Sequence, residues 1–224
     1  MDQACLNKYP KEWSNIEDHL SQKTDFSVVL MDLNSPDYQK VAAQFRQTMP
    51  QANIRSIQRI QNSWLWNRLN SKADLIIKKM NQQQGNQQRN LLLEDVSMLL
   101  FHGTSGTEPE KIYLSEEGFD MRFSKQGFWG QANYFAVNSS YSNSFAYQPQ
   151  NGLRRKRQMF LARVIVGQSI TLPQDNTLRM PPLIPGETTK RYDSVKGNTG
   201  GSDVYMFYSN ENCYPNYLIT YSLV

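Results

Sequence analysis

Chemistry-bearing side chains are scarce in this chain, and that narrows what it can do. It has two histidines, His19 and His102, and two cysteines, Cys5 and Cys213. Four such residues scattered over 224 positions do not make a zinc-finger, iron–sulfur or disulfide framework, so no metal is expected. Imidazole chemistry, if present, rests on one of two residues. His102 lies in LLFHGTSGT, where an apolar run passes into a Gly/Thr/Ser turn. Such a place presents a side chain and bare backbone to a small ligand. A hydrogen-bonded histidine ending a strand fits the same residues. His19 sits in a polar stretch and reads as surface. The segment YFAVNSSYSNSFAY, residues 134–147, holds three tyrosines among hydroxyls. Two aromatic faces there could clamp a flat ring, and an aromatic core seam fits equally well. RRKR at 154–157 has the composition of a nucleic-acid patch and equally of a solvated loop.

The elements that must position these groups are short. Residues 27–33 (SVVLMDL) read as a strand, and Ser35-Pro36 as an N-cap followed by proline at the first helical position. Tyr38, Val41, Phe45 and Met49 follow at helical spacing, with Pro50 closing the segment. A strand carrying Ile54, Ile57 and Ile60 leads into a helix with Leu65, Leu69, Ile76 and Met80 on one face. The Gln/Asn-rich residues 81–90 read as a solvated loop or frayed helix end. Beyond Val96 the spacing predicts strands and turns: VSMLLFHGT, FWGQANYFAVN, MFLARVIVGQSI, DVYMFYS and YLITYSLV. Thr107 and Glu110 read as a capping box for a short helix stopping at Gly118, and Asn138 as the cap of another over SSYSNSFAY. Without long helices between the later strands, an antiparallel α+β arrangement is favoured.

Composition sets the outer bounds. Hydrophobic residues make up 39%, aromatics 12% and charges 20%, with a mean hydropathy of -0.64. That is a globular, water-soluble balance with enough length for a real core. No apolar run approaches the ~20 residues of a membrane span, and the N-terminus lacks a signal-peptide core. The expectation is an intracellular protein, cytoplasmic or nuclear, with reduced thiols and no membrane partner. A net charge of +4 suits an anionic ligand but decides little.

Taken together and in order, the motifs resemble the catalytic domain of the poly(ADP-ribose) polymerase family, the diphtheria-toxin-like ADP-ribosyltransferases. LLFHGT carries the His-Gly-Thr turn. EEGFDMRFSKQGFWGQANYFAVNSSYS is similar to the loop, strand and helix around the nicotinamide site. RQMFLARVIVGQS, YDSVKG and the ending YPNYLITY follow, and IQRIQNSWLWNRL matches the segment before the site. The resemblance spans roughly residues 9–221. It implies one catalytic domain over 1–224, with two packed, mainly antiparallel sheets and flanking helices, and no regulatory helical subdomain.

It also implies NAD as the ADP-ribose donor. Gly103 would hold the nicotinamide carboxamide through its N–H and C=O, with Ser142 adding a hydroxyl. Tyr134 would stack on the ring, with Phe135 and Ala136 beside it, and Tyr147 would oppose it. His102 would bind the adenine-side ribose next to Thr104. Residues 119–131 would form the donor loop, with Arg122 near the pyrophosphate. The third residue of the triad, a glutamate in polymer-forming members, falls on Val204, giving His102, Tyr134, Val204. Adjacent Asp203 should face the other way, because neighbouring strand residues alternate. The resemblance therefore implies a mono-ADP-ribosyltransferase with protein acceptors, itself included. Val204 leaves a silent module binding NAD, ADP-ribose or RNA as the second reading. So does Ala132, which stands where relatives have glycine and would be strained if φ there were positive.

Overall fold

Short runs rich in Val, Ile, Tyr and Phe make strands the dominant element. The computed structural model describes residues 9–13, 26–83, 90–149 and 156–223. Cys5, His19, most of the Gln/Asn-rich stretch and Arg154–Arg155 of RRKR lie outside them. In chain order come β1 (Phe26–Leu30), α1 (Pro36–Arg46), β2 (Asn53–Asn62), α2 (Ser63–Gln83), α3 (Leu93–Val96) and β3 (Ser97–His102). Then follow α4 (Glu110–Tyr113), the 3-10 turn η1 (Met121–Phe123), β4 (Gln126–Gly127), β5 (Gly130–Gln131), β6 (Asn133–Ala136) and α5 (Ser139–Asn143). The chain continues with β7 (Lys156–Ile165), β8 (Ser169–Thr171), β9 (Ser194–Thr199), β10 (Ser202–Phe207), η2 (Asn210–Asn212) and β11 (Cys213–Ser222).

Among the described residues the class is α+β. A nine-stranded sheet runs β1-β2-β11-β7-β3-β6-β10-β9-β8, and β4-β5 forms a separate hairpin. Every neighbouring pair is antiparallel except β8–β9. Where two packed sheets were expected, the strands form one ladder, but a single register pair, Phe101↔Ala136, joins β3 to β6. Two well-paired halves thus meet along a seam one pair wide.

Apolar faces dictate the layers. Tyr38, Val41, Ala42 and Phe45 are the buried stripe of α1. Phe45 packs edge-on against Phe101 and Tyr221, with ring centroids 6.2 and 5.0 Å apart. On the other side Trp66, Leu69 and Ile76 of α2 pack with Trp13 and Tyr214. Tyr214 donates from its hydroxyl to the Ile60 carbonyl at 2.8 Å and accepts from the Asn62 N–H at 3.0 Å, satisfying a buried polar tip.

Local signals held unevenly. Ser35 caps α1, accepting from the Tyr38 N–H at 3.2 Å, with Pro36 first in the helix. β1 stops at Leu30 instead of reaching 33, because Asp32 turns the chain by accepting from the Asn34 N–H at 3.0 Å. The proposed Thr107–Glu110 capping box is absent. Pro109 occupies the N-cap of α4 without a side-chain bond, and the Thr107 carbonyl instead accepts from Thr104 Oγ1 at 2.5 Å. The helix ends at Tyr113; Gly118, at φ +65°, closes the next turn by donating to Ser115 Oγ. Asn138 precedes α5 without capping it through its side chain. Thr48, just beyond α1, does that work: its Oγ1 accepts from the Ser140 N–H at 3.1 Å and lies 2.8 Å from Ser139 Oγ.

Candidate active site

The seam between β3 and β6 opens into a cavity of about 1360 Å³. His102 ends β3 at its edge. Its Nδ1 donates to the Tyr134 carbonyl at 2.7 Å. A carbonyl only accepts, so Nδ1 carries the proton and Nε2 keeps a lone pair. The ring rests against Phe119 and Phe135, with centroids 5.0 and 4.9 Å away. Desolvation by these neighbours lowers the His102 pKa below 6.5, and the bond to Tyr134 only partly offsets it. The imidazole is therefore neutral at pH 7.

This has a pH consequence. The unfolded chain takes up the His102 proton near pH 6.5, whereas the folded chain resists it to lower pH. Stability is expected to fall as pH drops below about 6.5. Melting curves at pH 7.5 and 5.5 should show a smaller acid-induced drop in His102→Gln than in the unaltered chain. An equal drop in both would remove His102 as the cause.

Gly103 follows, where the chain leaves the sheet. A Cβ there would collide with the Phe145 carbonyl group and come within 2.6 Å of the Ser142 carbonyl oxygen. Only glycine lets the end of α5 approach this backbone so closely. Both Gly103 and Ser142 line the cavity. α5 is held from outside. Arg157 donates to the Asn143 carbonyl at 3.2 Å, and the Tyr221 hydroxyl donates to Asn143 Oδ1 at 2.8 Å. One cation of RRKR thus has an internal structural role.

Tyr134 lines the cavity from β6, but its hydroxyl is fully engaged. It donates to the Gly130 carbonyl at 2.8 Å and accepts from the Trp129 N–H at 2.9 Å. Burial pushes its pKa up to about 12. Its ring, rather than its hydroxyl, is what it offers a ligand. Phe145 and Tyr141 line the cavity as further aromatic surfaces, with centroids 5.5 Å apart.

Val204 on β10 lies opposite Ala136 and also lines the cavity. It is fully buried beside Trp129, Ala132 and Met206. Asp203 is turned away. Its carboxylate binds Lys196 Nζ at 2.7 Å and Asn198 Nδ2 at 2.8 Å, which holds its pKa below the ordinary aspartate value.

A family model described as "Poly(ADP-ribose) polymerase catalytic domain" matches residues 35–199, most of the chain. The chain belongs to the poly(ADP-ribose) polymerase catalytic-domain family. A probable poly [ADP-ribose] polymerase of Dictyostelium discoideum is 34% identical over 220 residues, covering 96% of this chain and 58% of that protein. Protein mono-ADP-ribosyltransferase PARP14 of Homo sapiens is 30% identical over 216 residues, covering 95% of this chain and 11% of that protein. Protein mono-ADP-ribosyltransferase PARP11 of Mus musculus is 29% identical over 230 residues, covering 95% and 64%. The chain spans less than two thirds of the length of each of these relatives.

Within this poly(ADP-ribose) polymerase domain, the cavity gathers His102, Gly103, Thr104, Tyr134, Phe135, Ala136, Ser142 and Val204. Phe135 and Ala136 are almost wholly buried, so they form its floor. Arg122 reaches the rim but is committed to Asp120, with Nη2 2.7 Å from Oδ2. Tyr147 is not part of the lining. It bridges Gln158 through its backbone, and its hydroxyl points to Glu108 at 3.5 Å. Phe145, two residues earlier, does line the cavity. The spacing of aromatic residues alone could not tell the two apart. Ala132 is not at positive φ; Gly130 is, at +78°, so the anticipated strain at Ala132 does not arise. Among the described residues no three His, Cys, Asp or Glu side chains are grouped to hold a metal ion. No described helix is long and apolar enough to cross a membrane.

Proposed function

We propose that this domain takes NAD as donor and transfers one ADP-ribose unit to a protein side chain, releasing nicotinamide. The observation that carries this is Gly103. It lines the cavity together with Ser142, Tyr134, Tyr141 and Phe145, and we read its N–H and C=O as the groups that meet a ligand there. A carboxamide both donates and accepts, so one backbone glycine matches it at two points. The Tyr134 ring, with Phe145 and Tyr141 nearby, suits a flat nicotinamide. The neutral His102, with Nε2 as acceptor, suits a ribose hydroxyl.

The bond that breaks joins the nicotinamide nitrogen to ribose C1′. The electron pair goes to the ring nitrogen, which begins cationic and leaves neutral. No general acid is needed for the leaving group. The ribose passes through an oxocarbenium-like state, which an acceptor oxygen captures at C1′. This chain's residues bind, orient and exclude water, and that supplies much of the acceleration. Val204 has no oxygen to activate a ribose hydroxyl, so the product stops at one unit. An acceptor carboxylate, on a partner or on this chain, brings its own charge. We place this reaction inside the cell and read residues 1–224 as one catalytic domain.

The test is incubation with labelled NAD followed by mass spectrometry. One ADP-ribose increment per modified site is expected, lost in His102→Ala. Thermal stabilisation by a nicotinamide analogue without any transfer supports the silent-module reading, which the missing carboxylate at Val204 favours. Neither labelling nor stabilisation overturns both.

A further inference from the structure

The hairpin β4–β5 forms one wall of the cavity, and something must fix its depth. Phe128 at its tip is 53% exposed, yet the next residue, Trp129, is 1% exposed. Three bonds converge on Trp129. Its N–H donates to the Tyr134 hydroxyl at 2.9 Å, and its indole N–H to the Leu172 carbonyl at 3.1 Å. Its carbonyl accepts from the Tyr208 hydroxyl at 2.7 Å. The indole also fills a socket that exists because residue 197 is glycine. A Cβ at Gly197 would overlap the ring and lie 2.5 Å from Cε2. Gly130, at φ +78°, is pressed against the Leu178 backbone and leaves no room for a side chain. Gly127 approaches the Tyr134 ring so closely that a Cβ there would come within 2.8 Å of its Cζ.

We infer that Trp129 is a positioning residue that seats the β4–β5 wall and, through the Tyr134 hydroxyl, sets the plane of the Tyr134 ring. The clamp ties three separate pieces together. Tyr208 anchors it to the strand that carries Val204, and Leu172 to the segment after β8. The third piece is Tyr134 itself. Its ring is ordered by two bonds made within the hairpin, at Trp129 and Gly130. Trp129 contributes as a peg, its indole seated in the socket left by Gly197. The link to NAD rests on the proposed donor reading; the clamp itself does not.

Two variants test it. Tyr208→Phe removes only the hydroxyl that holds the Trp129 carbonyl. Gly197→Ala blocks the indole socket. Hydrogen exchange is followed on the peptide covering residues 126–131, and the KM for NAD and kcat are measured in parallel. Both variants are expected to speed exchange in this peptide by about fivefold or more, while exchange in β7 and β11 stays unchanged. The KM for NAD should rise about fivefold with kcat within about twofold, the mark of a lost binding geometry. Unchanged exchange in a folded Tyr208→Phe overturns the clamp. Faster exchange with both constants unmoved overturns its positioning role. If the unaltered chain does not consume NAD, faster exchange still supports the clamp, and the donor reading alone falls.

Discussion

Gly103→Ala is expected to lower the affinity for a nicotinamide analogue by roughly 100-fold, since both backbone bonds to the carboxamide would be lost. The new methyl group has no free space. It would run into the Phe145 carbonyl group and approach the Ser142 carbonyl oxygen to 2.6 Å. These are backbone atoms at the end of α5, so they cannot rotate aside as a flexible side chain would. Either α5 moves and carries Ser142 and Phe145 with it, or the Gly103 peptide tilts. Both outcomes dismantle the two-point recognition. Overpacking of this kind also costs about 1–3 kcal/mol of stability. Gly106→Ala is the control, because a Cβ there meets nothing within 4 Å. Calorimetric titration of a nicotinamide analogue into both variants reads the difference. If Gly103→Ala binds within threefold of the unaltered chain, the carboxamide does not sit there.

Val204→Glu is expected to leave the product at one ADP-ribose unit and to destabilise the domain. A carboxylate at this place would look like the simple repair that turns a mono-transferase into a polymerase. The surroundings argue otherwise. Val204 is fully buried among Trp129, Ala132 and Met206, between Ala136 and Gly197 on the flanking strands. The side chains packed around it are apolar. An unpaired carboxyl in such a place is pushed up in pKa and stays protonated near pH 7, where it cannot act as a base. The cost in stability is about 3 kcal/mol, or roughly 5–10 °C in melting temperature. Gel analysis of labelled products, with a melting curve for each variant, checks both halves. A ladder of polymer from a Val204→Glu chain of unchanged stability would show that the pocket already accommodates the charge.

What could be read from residues alone follows from how local each signal is. Ser35-Pro36 announced the start of α1 because capping and the fixed φ of proline act within one turn. The HGT turn was legible for the same reason: a strand running into glycine is a local event. Asn138 failed as a cap because a residue far away in sequence, Thr48, supplies the hydroxyl that meets the start of α5. Thr107 failed because Thr104 Oγ1 binds its carbonyl and holds the turn in another shape. β9 does not read as a strand, although YDSVKG matches the family pattern, since SVKGNT is polar and glycine-containing; its glycine is the very residue that admits Trp129. Tyr147 and Phe145 could not be told apart before the end of α5 was known. The helix expected over 139–147 ends at Asn143, so both rings lie beyond it. From sequence Trp129 falls only within the donor-loop stretch 119–131, because its own role depends on Gly197, a distant residue that no local pattern links to it.

The single pair between β3 and β6 has a consequence for how the molecule holds together. β1, β2, β11, β7 and β3 complete their own ladder, as do β6, β10, β9 and β8. The backbone ladder is thinnest at this join, and the halves are held there by side chains instead: Leu100 and Phe160 of one half share a core with Phe135 and Phe207 of the other, and His102 bonds the Tyr134 carbonyl across it. His102 and Gly103 come from one half, and Tyr134 and Val204 from the other. The site therefore exists only where the two halves are packed together. If the proposed donor lies across this join, its binding should add to the contacts that hold the halves together and so stabilise the fold.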